Sequence, residues 1–121
     1  MDPTELKNRT KQFALRILKL VAALPNSIEG RAIAKQLVRS GTSVAANYRA
    51  TCRARSKAEF VAKIGVVLEE ADETVLWLEL IKEGKLLPAK RVEALFAEAN
   101  EIVAIMVTSR KSAASNLKSA I

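Results

Sequence analysis

Apolar residues recur along this chain at every third or fourth position, in four stretches separated by helix-breaking residues. In the first, about residues 4–24, Leu6, Phe13, Ile17, Leu20 and Leu24 share one narrow face at about 100° per residue. Asp2-Pro3 marks its start, because proline's fixed φ suits a first helical turn, and Pro25-Asn26-Ser27 stops it. The second stretch, about 29–51, carries Ile33, Leu37, Val44 and Tyr48 on its apolar side, together with Gly41. A glycine inside a helix costs about 1 kcal/mol relative to alanine. Gly41 therefore predicts either the close approach of another helix backbone or a kink at Ser40–Ser43. The third stretch, about 56–83, opens on Ser56-Lys57-Ala58-Glu59, a capping-box sequence in which hydroxyl and carboxylate reciprocally satisfy free backbone N–H groups. Phe60, Ile64, Val67, Ala71, Val75 and Leu78 form its stripe, and Gly84 is placed to end it. Leu86-Leu87-Pro88 leads into the fourth, about 89–112, with Val92, Leu95, Phe96, Ala99, Ile102, Val103 and Met106 inward. The small, polar tail, 113–121, is expected to fray.

Four amphipathic helices joined by short links predict an all-α fold, an antiparallel up-down-up-down four-helix bundle, as one domain over residues 1–121. No stretch alternates as a strand would, and no internal repeat is present. A chain of this length buries a core without disulfide or metal staples.

Composition narrows the chemistry. Histidine is absent, which removes His-based triads, the commonest metal ligand and the Glu-x-x-His pairs of di-metal bundles. Cys52 is the only cysteine, so neither an intramolecular disulfide nor a thiolate metal site is available. It reads as a packed small hydrophobe rather than a nucleophile, since no base is placed beside it. No glycine-rich phosphate loop occurs. Neither cofactor nor metal is expected. Glu69, Glu70, Asp72, Glu73 and Glu79 are the one carboxylate cluster; a carboxylate enzyme would need them to converge in a pocket, and a solvated or ion-paired helix face is the favoured reading, so no enzymatic activity is expected. No apolar run approaches a membrane span, and the polar N-terminus lacks the apolar segment of a signal peptide, so a cytoplasmic protein without membrane contact is expected.

Charge points toward a partner. The net charge is +7, and residues 1–60 hold 12 Lys/Arg against 4 Asp/Glu, whereas residues 61–121 hold 8 against 9. Arg31 to Lys57 contains seven cations and no acid. By the helical count Arg31, Lys35, Arg39, Arg49 and Arg53 fall within an arc of about 80°, opposite the apolar side. Arg53 joins the row only if the helix reaches it, while Arg55, Lys57 and the more distant Lys63 flank it. Such a row suits the phosphates of RNA or DNA, with salt-sensitive affinity. The alternative is a structural or protein-interaction module in which the row pairs with Glu69, Glu70, Glu73 and Glu79 of the third helix, within a chain or across subunits. Leu15 and Leu18 on the first helix, and Val66, Trp77 and Leu80 on the third, lie off the core stripes and predict a homo-oligomer interface.

The run from Gln36 to Ala50 (QLVRSGTSVAANYRA), then Arg55 to Phe60, then Glu69 to Thr74 and Trp77-Leu78-Glu79, resembles the four-helix bundle proteins named after 23S rRNA intervening sequences. The likeness spans about residues 10–110. It implies an antiparallel bundle assembled as a ring-like homopentamer. The family is similar in fold to the accessory variability determinant protein of diversity-generating retroelements, a basic pentamer that binds nucleic acid and a reverse transcriptase; nucleic-acid binding here is implied by that likeness at one remove. Arg39, Asn47, Arg49 and Ser56 match the family pattern, whereas Val38 stands where many members carry a second arginine, which thins the positive row. No catalytic residues are implied.

Overall fold

Three of the four helices begin at a side chain that caps them. In the computed structural model, which describes the backbone of residues 1–120 and the side chains of 1–117, α1 runs Pro3–Val21, α2 Ile28–Thr51, α3 Lys57–Glu83 and α4 Ala89–Ala120. Asp2, Ser27 and Ser56 accept hydrogen bonds from the backbone N–H groups of Glu5, Gly30 and Glu59, satisfying donors the first turn leaves free. Ser56 makes its half of the capping box; the Glu59 carboxylate instead faces Arg55 and Lys63, at 3.6 and 3.9 Å.

The ends of α1 and α4 differ from the sequence expectation, while α3 ends at Glu83 with Gly84 as its C-cap, as expected. α1 stops at Val21 rather than near Leu24, because Leu24 precedes Pro25 and is sterically biased away from helical backbone; a tight turn carries the chain on, with Leu24 N–H donating to Val21 O. α3 closes in a Schellman arrangement, Leu86 N–H donating to Ile81 O and Lys85 N–H to Lys82 O. Its left-handed residue is Lys85, at φ 57°, and not Gly84, which is right-handed. α4 does not end near Ser112: residues 113–120, expected to fray, are helical. Ala113, Ala114 and Leu117 are half-buried there, and the segment has neither glycine nor proline to stop the helix. Ile121 of that tail lies outside the described residues.

Consecutive helices pack side by side and antiparallel: α3 with α4, α2 with α3 and α1 with α2 meet extensively, α1 with α4 only sparsely. Among the described residues the backbones of α1 and α3 do not approach each other closely, so they occupy diagonal corners of an up-down-up-down bundle. The core is filled by Phe13, Ile17, Leu37, Val44, Ile64, Val67, Leu78, Ile81, Ile102 and Met106. Burying each such side chain contributes about 1.5–3 kcal/mol.

The Gly41 question resolves toward close approach, but to a side chain. α2 is continuous through Ser40–Ser43, and a Cβ at Gly41 would lie 2.8 Å from Ile17 Cγ1 of α1. The core also holds four hydroxyl residues that a periodicity of apolar positions passes over: Thr10, Ser40, Thr51 and Thr74. Thr10 and Thr51 donate to carbonyls one turn back, of Leu6 and Asn47. The Thr74 hydroxyl lies 2.8 Å from Glu70 O and 2.9 Å from the Ser40 hydroxyl across the α2–α3 seam. These bonds remove the cost of burying the groups.

Candidate nucleic-acid interface

The exposed side of α2 faces away from the core seam formed by Leu37, Val44 and Tyr48, and it carries Arg31, Lys35, Arg39 and Arg49. Arg53 lies beyond the helix, in the turn after Thr51 where its N–H donates to Ala50 O. Lys57 is the first residue of α3.

The row is not electrostatically uniform. Arg39 sits beside α3, where its guanidinium donates to Glu70 at 3.1 Å, to Glu73, and to the Gln36 side chain at 3.2 Å. The hydrogen bond that Arg39 donates to Glu73, with the two negative charges, holds Arg39 still further above its ordinary value. Glu69 and Glu79, the other expected counter-charges, make no ion pair with the row among the described residues. Arg31 donates to the neutral Asn26 side chain at 2.9 Å. Arg49 lies toward α1, where Thr4, Lys7, Asn8, Lys11 and Arg49 line a cleft of about 220 Å³. Three cations and no carboxylate line it, an arrangement that attracts an anion. Sequence reading missed Lys7 and Lys11, because they join Arg49 only when α1 packs antiparallel on α2.

A second arginine cluster, also missed, ties α1 to α4. Arg9 donates through Nε and Nη2 to the two oxygens of Glu98, at 2.8 and 2.7 Å, and through Nη2 to Glu101 at 2.7 Å. The bidentate bond from Arg9 pulls the Glu98 carboxyl below its ordinary value against the opposing effect of burial. This clamp sits between the helices that otherwise meet least.

Of the expected interface residues, Leu15 and Leu18 on α1 and Val66 and Leu80 on α3 are exposed, joined by Leu76 and by Ile28 at the start of α2. Trp77 is half-buried and packs partly against the core, and its indole Nε1 is covered without a hydrogen-bond partner among the described residues. Such N–H groups usually find one when buried. No helix among the described residues is long and apolar enough to cross a membrane.

Comparison with known proteins agrees with this architecture. None of the curated proteins matches the chain. A crystal structure of a protein of unknown function from the S23 ribosomal protein family of Bacteroides thetaiotaomicron is 33% identical, with a TM-score of 0.83 over 92% of this chain and 99% of that one. The family model for the 23S rRNA-intervening sequence protein matches residues 4–108. The chain therefore belongs to the 23S rRNA-intervening sequence protein family.

Proposed function

We propose that the protein is a non-enzymatic, homo-oligomeric scaffold that offers its α1–α2 flank to the phosphate backbone of RNA or DNA. The observation carrying this reading is the convergence of Lys7, Lys11 and Arg49 with no carboxylate among them. Arg31 and Lys35, exposed on α2, extend the same positive row, which Arg53 does not join because the helix ends at Thr51. Phosphate contacts of this kind give affinity without base preference, and no aromatic side chain lies in the row to stack on bases.

Self-association is supported by two outward faces of opposite charge. On α1, Leu15 and Leu18 are accompanied by exposed Arg16 and Lys19; on α3, Val66, Leu76 and Leu80 are accompanied by exposed Glu69, Asp72 and Glu83. The faces belong to diagonal helices, so one copy's α1 face can meet the next copy's α3 face in a head-to-tail contact, the kind that closes rings. Five copies per ring is the number that the family resemblance suggests.

The second reading, a structural or protein-interaction module with the basic row locked by acids, is favoured by the Arg39 clamp on Glu70 and Glu73. Anisotropy titration of a structured RNA at about 50 and 200 mM salt separates the two, since phosphate binding weakens steeply over that range. Salt-sensitive binding lost on reversing Lys7, Lys11 and Arg49 supports the first reading; absence of binding at low salt rejects it.

A further inference from the structure

The four helices differ in length, from 19 residues in α1 to 32 in α4. At about 1.5 Å per residue the mismatch leaves the last turns of α4 standing past the start of α1. The result is a cleft of about 1050 Å³ at the end of the bundle where α1 and α3 begin and α2 ends. Its volume lies just above the range for small-ligand sites, about 300–1,000 Å³.

The lining is divided by chemistry. Leu6, Tyr48, Phe60 and Ile105 give an apolar floor. Thr108 and Ser112, one turn apart on α4, add a hydroxyl-bearing wall. The charged residues of the lining are Arg55 and Lys57, both cationic; no carboxylate lines the cleft among the described residues. Arg55 is nearly fully exposed and only loosely paired, 3.6 Å from Glu59, and Lys57 has no ion pair among the described residues. An uncharged or cationic guest would leave these charges unmatched, and a small inorganic anion would leave the apolar floor uncovered. We infer that this end cleft binds a single-chain anionic amphiphile, with the chain along Leu6, Phe60 and Ile105 and the head group at Arg55 and Lys57. The site is separate from the α1–α2 phosphate flank and does not rest on it.

Cys52 lines the same cleft and is half-exposed, so its alkylation rate reports occupancy. The test is calorimetric titration of the full chain with dodecanoate below its micelle concentration, with dodecyltrimethylammonium in parallel and thiol labelling read alongside. Saturable dodecanoate binding near one per chain is expected, with Cys52 labelling slowed about tenfold at saturation and affinity for the cationic amphiphile at least about tenfold weaker. The Arg55→Glu/Lys57→Glu variant should weaken dodecanoate by at least about tenfold while keeping its melting temperature, because both sites are exposed and an acid suits the first turn of α3. Equal binding of the two amphiphiles, or dodecanoate binding that leaves Cys52 labelling unchanged, overturns the proposal. Cys52 protection that grows with protein concentration and excludes dodecanoate also overturns it, because the cleft is then filled by a second copy.

Discussion

Arg39 and Arg49 project from the same face of α2 and meet opposite surroundings. Arg39 leans toward α3 and spends its donors on Glu70 and Glu73. Arg49 leans toward α1 and finds Lys7 and Lys11. The difference is set by the neighbouring helices, not by the residue or its place in the row. The two sides of α2 differ in packing as well. Against α1 the seam is tight enough that Gly41 abuts Ile17 directly; against α3 it carries the Ser40–Thr74 hydroxyl pair. A basic stripe on a helix is thus two half-sites, one neutralised and structural, the other open to a ligand.

Substitutions can break this contrast at known places. Gly41→Ala tests the α1 side of α2. The new methyl would press on the β-branched Ile17 and cost about 1–3 kcal/mol of overpacking, only partly offset by about 1 kcal/mol of helix propensity. Thermal melts should show a fall, and combining the change with Ile17→Ala, which removes both γ carbons that the new methyl would meet, should cost less than the two separately. An unchanged melting temperature would mean that the α1 seam is not tight.

The largest stability effect is expected at Arg9→Ala. The substitution removes charge-assisted bonds that join α1 to α4, a loss of about 1.5–3 kcal/mol. The sign with pH follows from Glu98. Its carboxyl is held below its ordinary 4.5, so the pair's contribution is complete above that value and lost as pH falls through the depressed one. Acid-side melting curves of the Arg9→Ala variant should therefore lack this loss. Arg39→Ala should move the melting temperature less, since its side chain is 45% exposed against 25% for Arg9 and water screens its carboxylates. A larger effect at Arg39 than at Arg9 would overturn the ranking of the two clamps. The smallest change, and a gain, is expected at Lys85→Gly. Relief of the left-handed backbone should exceed the added freedom of the unfolded chain by about 0.5 kcal/mol, readable in denaturant midpoints.

Much of this arrangement is legible from residue order alone. Helix number and packing stripes follow from apolar spacing, and Ser56 announces a start where the structure has it, whereas Pro25 marks the α1 stop one turn late. Leu15, Leu18, Val66 and Leu80 stand out because they lie off those stripes. What escapes reading depends on contacts between helices. Thr74 looks like a surface residue until α2 places Ser40 beside it. Arg9, Lys7 and Lys11 look like ordinary solvent-facing cations until α4 brings Glu98 to one and α2 brings Arg49 to the others. The end of α4 escapes for a different reason: small polar residues suggest fraying, yet an alanine-containing stretch with no breaker continues a helix already nucleated.

The most direct test of the divided basic row is a structured-RNA titration over a range of salt with the wild type, Arg39→Glu and the Lys7→Glu/Lys11→Glu/Arg49→Glu triple variant, each matched for oligomeric state. The triple variant is expected to lose at least about tenfold in affinity and to flatten the salt slope by about one per phosphate contact removed, while Arg39→Glu stays within about threefold of the wild type. Equal losses in the two variants, or a larger loss at Arg39, would contradict the division of α2 into a neutralised half and an open one.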